Sequence, residues 1–278
     1  MKISFTVENT EEMKIRDYLT RRLGFSASLI AKVKVGGVFL NRENVHMRAT
    51  VKEGDLIEIN MPEEKSENIP PIAMPLDILY EDDWLLIINK PRNMPVHPSK
   101  GNSLPTLANG VMAYMGGDFV FRAVNRLDRD TSGIVIIAKN QLSAAIMSRT
   151  VKAGGLEKKY LAIVDGVPDS VGRIEAPIER ECEGSIKRVV QPCGKPSVTE
   201  YTLLKSMGDT SLIEINLVTG RTHQIRVHLS YIGHPLTNDF LYGNKRTEET
   251  YRLHCNRITF PHPINEKILR IEAEADFI

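Results

Sequence analysis

The sequence predicts an α+β fold in two unequal parts, and three observations carry that prediction. Short apolar runs that read as strands outnumber helical patterns, and few strand–helix–strand units occur, which argues against a doubly wound sheet. A proline-rich segment interrupts the chain at residues 62–75. Charge is segregated along the first third of the chain although it cancels overall, 36 Lys+Arg against 35 Asp+Glu, for a net charge of +1.

With 278 residues, 42% hydrophobic and 26% charged, the chain has the composition of a folded soluble protein. It is long enough to bury a sizeable core without covalent staples. Cys182, Cys193 and Cys255 are odd in number and form no CxxC pair. That argues against a disulfide framework or zinc site and for a reducing compartment. The first residues lack the apolar core of a signal peptide, and no apolar run approaches the ~18 residues of a membrane span. A cytoplasmic protein is expected, with no membrane association, and nothing demands more than a monomer.

In the first part, Ile15, Tyr18, Leu19 and Leu23 recur at helical spacing and Gly24 supplies a stop. Ser26 is placed to cap a second helix whose apolar positions are Leu29, Ile30 and Val33. Gly36-Gly37 turns the chain into a strand at Val38–Asn41, and Gly54-Asp55 into another at Leu56–Asn60. Between positions 14 and 42, Lys14, Arg16, Arg21, Arg22, Lys32, Lys34 and Arg42 stand against Asp17 alone. A solvated helix face explains part of this, but so one-sided a bias also suits a polyanionic partner. Between 53 and 83 ten carboxylates stand against Lys65, which is why the total is near zero. The segment 62–75 holds four prolines and three glutamates and reads as a semi-rigid linker between residues 1–61 and 76–278.

In the second part, Leu85–Ile88 and Ile134–Ile137 are four-residue apolar runs expected to be buried central strands. Ser211–Val218 alternates apolar and polar residues, and His223–Ile232 reads as a helix closed by Gly233.

Three constellations bear chemistry. Asn125–Gly133 (NRLDRDTSG) sets two arginines, two aspartates, Thr and Ser directly before a buried strand. Asp, Ser and Gly suit a capped turn. A carboxylate with arginines on both sides, however, is also what a nucleophile or general base requires, because its charged form stays populated. In Thr219–His228 (TGRTHQIRVH), Arg221 falls at the start of the predicted helix, where the macrodipole disfavours a cation. An anionic partner is expected there, either Asp128 or a polyanion's phosphate. His223, Arg226 and His228 project from the same helix. The two histidines are five apart rather than the four of a zinc helix, and polar packing suits them better than metal ligation. In Glu157–Val164, Tyr160 enters an apolar alternation, either as an interfacial tyrosine or as a ring presented to a base.

Together these segments resemble the RluA-type RNA pseudouridine synthases. Asn125–Gly133 is similar to that family's (H)RLDxxTSG signature, RTHQIRVHL at Arg221–Leu229 to its second long signature, and Lys158–Ala162 to its KxYxA element. Asn89-Lys90-Pro91, Gly194-Lys195-Pro196, Gly233-His234-Pro235 and Leu253-His254 extend the likeness over residues 76–278. The basic amino-terminal part resembles the S4 RNA-binding fold. The resemblance implies a small S4-like α/β module followed by a synthase domain on a mainly antiparallel mixed sheet with flanking helices. It implies Asp128 as the essential carboxylate, Arg221 as its partner, Tyr160 stacked on the target uracil and Arg126 displacing the base. RNA contacts would come from Arg21, Arg22, Lys32, Lys34 and His223. No cofactor, metal or obligatory protein partner is implied. Structured ribosomal RNA is the expected substrate, with transfer RNA as the alternative. Position 125 is Asn where the family more often has His, and Arg92-Asn93 replaces a common small-Gly pair. Two other readings remain open on the residues alone: a non-catalytic RNA-binding protein of ribosome assembly, and a hydrolase using Asp128 with His223 or His254.

Overall fold

The computed structural model describes residues 2–8, 10–60, 69–98, 105–244 and 247–278. The amino-terminal strands are β1 (Lys2–Thr6), β2 (Met13–Lys14), β3 (Val38–Leu40), β4 (Glu43–Val45), β5 (Thr50–Val51) and β6 (Leu56–Asn60). They form an antiparallel sheet in the order β1-β6-β3-β4, with β2 and β5 as a separate short pair. Helix α1 (Ile15–Asp17) runs on as a π-helical turn over Tyr18–Arg22, and α2 (Ala27–Gly36) follows. The wider turn appears in the hydrogen bond from the Leu23 N–H to the Tyr18 carbonyl, five residues back, at 3.2 Å. Ser26 caps α2 by accepting the Leu29 N–H at 3.2 Å, as its position predicts. Ile15, Leu19, Leu29 and Val33 pack with Ile57 and Ile59 in this part's core.

The remaining elements are β7 (Asp77–Glu81), β8 (Leu85–Lys90), α3 (Leu107–Tyr114), β9 (Ser132–Ala138), α4 (Gln141–Lys152), β10 (Glu157–Asp165), β11 (Val171–Glu175), β12 (Ile178–Arg180), β13 (Arg188–Val190), β14 (Val198–Ser206), β15 (Thr210–Leu217), α5 (Gln224–Tyr231), β16 (Leu253–Pro261) and β17 (Ile268–Glu272). A nine-stranded sheet runs β11-β14-β15-β10-β16-β9-β8-β7, with β17 on β16 and β12–β13 a separate hairpin. Every recorded pair in it is antiparallel except β9 with β16. The fold is therefore α+β with a mainly antiparallel mixed sheet. The two apolar runs are neighbouring strands, β8 and β9, and Leu85–Ile88 and Ile134–Ile137 are buried throughout. In β15, Ser211, Ile213 and Ile215 face inward, as the alternation predicts.

Two details fix how the parts meet. Residues 62–68 of the proline-rich segment lie outside the described residues. Past them, the Pro70 carbonyl accepts from Asn109 Nδ2 at 2.8 Å and the Ile72 N–H donates to the Asn109 carbonyl at 3.1 Å, tying this stretch to α3. Helix α4 serves both cores: Met147 belongs to the large one, whereas Leu142 and Ile146 join the amino-terminal one. Among the described residues no helix is long and apolar enough to cross a membrane.

Gly133 sets the close parallel pairing of β9 with β16. Its φ is +111°, and a Cβ there would lie 2.3–2.8 Å from the backbone of Cys255. Backbone on both sides leaves nothing that can yield. Gly133→Ala is expected to cost on the order of 3 kcal/mol or more, read as a lowered midpoint in thermal or urea unfolding.

Candidate active site

A cleft of about 980 Å³ opens where the loop before β9, strand β10 and the start of α5 converge. Arg126, Arg129, Lys152, Lys158, Arg221 and Arg226 line it, with Asp128 as the single carboxylate among the described lining residues. So cationic a concavity suits a phosphate-bearing ligand.

Asp128 is 28% exposed at its side chain, and its Oδ2 faces the Arg226 Nη1 at 3.4 Å. Arg226 is almost wholly buried. Its Nε and Nη2 donate to the two carboxylate oxygens of Asp239 at 2.7 and 2.8 Å, a fork-on-fork pair that leaves Nη1 turned to Asp128. The Tyr251 and Tyr242 rings lie 4.6 and 4.9 Å from the guanidinium carbon. Asp239 also accepts the N–H groups of Leu241 and Tyr242 at 2.9 and 3.2 Å.

The expected pairing of Arg221 with Asp128 is not found. Arg221 is exposed, and its Nε and Nη2 approach the Pro196 carbonyl, both at 3.4 Å. The macrodipole argument selected the arginine at the helix start, but Arg221 lies in the turn before α5, and that turn is tied to the first helical residue, Gln224. Its side-chain oxygen accepts the Arg221 N–H and the Thr219 hydroxyl, at 3.0 and 2.8 Å. Arg226, five positions on, lies on the face of α5 turned to Asp128. The signal that could have found it is the pairing of an apolar-face arginine with an aspartate in the coil beyond Gly233.

His223 starts α5 from a left-handed conformation, φ +58°, so the helix begins one residue later than its sequence pattern suggests. Its Nε2 lies 3.8 Å from Asp128 Oδ2, and its Nδ1 lies 2.8 Å from the Tyr242 hydroxyl. The Arg188 backbone N–H donates to that hydroxyl at 2.7 Å. A backbone N–H can only donate, which keeps the Tyr242 proton available to His223 Nδ1; in that tautomer the neutral ring carries its own proton on Nε2, toward Asp128. Burial pushes the imidazole below its ordinary pKa, opposed by Asp128, and raises the Tyr242 hydroxyl to about 12. His228, by contrast, is buried between Thr199 and the Ala176 carbonyl, both at 2.9 Å, as ordinary polar packing.

The loop carrying Asp128 is held from below. Asn125 Nδ2 donates to the Ile134 carbonyl at 3.0 Å and its Oδ1 accepts the Ile136 N–H at 2.9 Å, so an amide at this position staples the loop to β9. Lys90, fully buried, donates to the carbonyls of Pro91, Met94 and Arg129 at 2.8, 2.8 and 3.1 Å. Burial pushes its pKa down to about 7 against the pull of Asp130 and Asp128. Arg129 pairs with Asp130 through two 2.9 Å bonds. Tyr160 is buried on β10, lines the cleft and hydrogen-bonds Cys255, and Arg126 is exposed on the cleft lining. Arg21, Arg22, Lys32 and Lys34 are exposed on the amino-terminal helices, outside the cleft lining. His254 is engaged by Ser132 at 2.9 Å and the Ala273 carbonyl at 3.2 Å. Among the described residues no group of three or more His, Cys, Asp or Glu gathers in metal-ligating geometry.

Residues 84–231 match the model of the RNA pseudouridylate synthase family. The chain belongs to this family. An uncharacterized RNA pseudouridine synthase, YjbO, of Bacillus subtilis is 38% identical over 94% of this chain and 95% of its own. The ribosomal large subunit pseudouridine synthase D of Haemophilus ducreyi is 34% identical over 88% and 81%. Human RNA pseudouridylate synthase domain containing 1 superposes with a TM-score of 0.63 at 27% identity, covering 75% of this chain and 87% of that one. Like the rest of the family, this synthase isomerises uridine in RNA.

Two outcomes follow for the synthase from this geometry. Asp239→Asn removes the counter-charge of a buried guanidinium and should cost about 3–5 kcal/mol of stability, measured by urea unfolding, with turnover lost in the folded fraction. Tyr242→Phe keeps the ring on Arg226 but deletes the donor to His223 Nδ1. The neutral imidazole then loses support and its pKa rises. The acid limb of the turnover–pH profile should therefore move to higher pH, while His223→Gln should remove that limb.

Proposed function

We propose that this synthase converts uridine to pseudouridine in large-subunit ribosomal RNA, with Asp128 as the essential carboxylate. The observation that carries the reading is the single carboxylate among the described lining residues, faced by a fixed arginine and set among six cationic side chains. Isomerisation detaches uracil through N1, turns it and rejoins it through C5, so the base must leave its stack at a cost of a few kcal/mol. Arg126 fills the vacated space and Tyr160 holds the ring. Asp128 attacks the sugar or C6, or takes a proton at C2′. Arg226 keeps it ionised and aimed, the part the resemblance gave to Arg221, while Arg221 remains free to meet a phosphate.

The likeness to large-subunit synthases supports ribosomal RNA over transfer RNA. Residues 1–61 act as an S4-type RNA-binding module, joined through 62–75 to the catalytic part at 76–278, with Arg21, Arg22, Lys32 and Lys34 toward RNA. The protein works as a monomer in the cytoplasm, in keeping with three free cysteines.

Asp128→Asn is isosteric and should bind an in-vitro transcript of large-subunit ribosomal RNA within a few-fold of wild type, while pseudouridine formation falls at least ~10²–10⁴-fold. Normal turnover by this variant sinks the assignment. Pseudouridine mapping of total RNA from cells with and without the gene identifies the target, and a lost site in transfer RNA alone would replace ribosomal RNA as the substrate.

A further inference from the structure

We propose that the carboxyl-terminal end of α4, with Arg149 and Lys152, forms a phosphate-binding track that carries the substrate RNA out of the cleft and onto the amino-terminal basic helices. This rests on the reading of the cleft as an RNA site and adds where the rest of the RNA lies.

Four observations join into one path. A second hollow of about 230 Å³ adjoins the cleft and shares Ala123, Val124, Val151 and Lys152 with it. Its other lining residues are Arg122, Ala144 and Ser148, so it contains cations and no carboxylate. Lys152 and Arg149 are three apart on the last turn of α4 and hence neighbours on one face. Among the described residues neither is ion-paired with a carboxylate. Arg149 then reaches the amino-terminal part itself, its Nη2 donating to the Arg22 carbonyl at 3.5 Å. Its guanidinium lies over Gly24, where φ is +66° and a Cβ would come within 1.6 Å of the guanidinium carbon. Only a residue without a side chain gives Arg149 this seat.

The helix dipole favours cations at this end, which accounts for a basic last turn. It does not account for a hollow continuous with the cleft, or for the guanidinium lying on the other part's backbone. Ile146 and Leu142, about one and two turns before Arg149 on the same face of α4, are buried in the amino-terminal core, so the track and the basic helices Arg21 and Arg22 belong to are held in one frame. A strand leaving the cleft meets Lys152, then Arg149, then Arg21 and Arg22. RNA is read this way by backbone contact, independently of sequence.

The test uses the full chain and an in-vitro transcript of bacterial large-subunit ribosomal RNA. In Arg149→Gln/Lys152→Gln both residues are exposed, so folding is preserved, checked by circular dichroism. Affinity at about 0.15 M salt should fall roughly tenfold, and the slope of log K against log salt should lose about 2 units. An unchanged affinity and slope would overturn the track. Independently, Ser148→Cys carrying a photocrosslinker, on a Cys182→Ser/Cys193→Ser background, should crosslink to the bound transcript, and failure to do so at wild-type affinity counts equally against it. Both readouts are of binding, so they remain decisive if wild-type protein leaves no pseudouridine in this transcript, a result that would instead defeat the proposed substrate.

Discussion

The cleft is organised around the Arg226 guanidinium, and the cost of burying that charge explains the residues around it. A desolvated arginine is not a source of stability in itself, because its hydration is lost and must be replaced. Asp239 replaces it along one edge with two short bonds, and two tyrosine rings cover its faces. What remains is one Nη1, and that is the atom facing Asp128. Fixing two edges of a planar cation thus fixes the direction of the third, so the carboxylate meets a positive group that has no freedom to turn away.

The loop bearing Asp128 complements this from the other side. Three buried carbonyls converge on Lys90, matching the three donors of an ammonium group. The Asn125 amide occupies one donor and one acceptor of β9, so the chain enters and leaves the Asp128 turn at fixed points. Gly133 lets β9 lie against Cys255 immediately after that turn. Tyr160 reaches the same place from β10, opposite Cys255 in the register. Carboxylate, arginine and tyrosine therefore sit on a pinned loop, a helix and a paired strand, which keeps the cost of organising them out of the reaction step.

Much of this was legible in the sequence, and the reasons differ by residue. The strand cores were readable because four consecutive apolar residues have few alternatives to a doubly buried strand, and Asp128 because charges beside such a strand demand partners. Arg226 does not stand out, because the apolar positions Ile225 and Leu229 account for the helix without showing that the arginine beside them is buried. Its partner Asp239 lies thirteen residues on, in coil that carries no periodicity at all. The macrodipole pointed to Arg221 instead, but α5 starts three residues later and Arg221 lies in the turn before it, where the Gln224 side chain accepts its N–H. The hydroxyl–imidazole chain through Tyr242 was equally hidden, since it depends on the backbone N–H of Arg188 in a distant hairpin.

Net charge illustrates the same point on the scale of the whole chain. A total of +1 reads as indifference to polyanions, yet the cleft lining alone sets six cations against one carboxylate. Two of those cations, Arg129 and Arg226, are consumed by buried aspartates, so their charge orients the site and contributes little to long-range attraction. Arg126, Lys152 and Arg221 have no such partner among the described residues and supply the field an approaching phosphate meets within a Debye length of ~8 Å. The acidic run of residues 53–83 cancels them in the sum and not in space, because none of its described carboxylates lines the cleft. What selects a ligand here is the sign of the charge at the concave surface, and that is set by which cations the core has left unpaired.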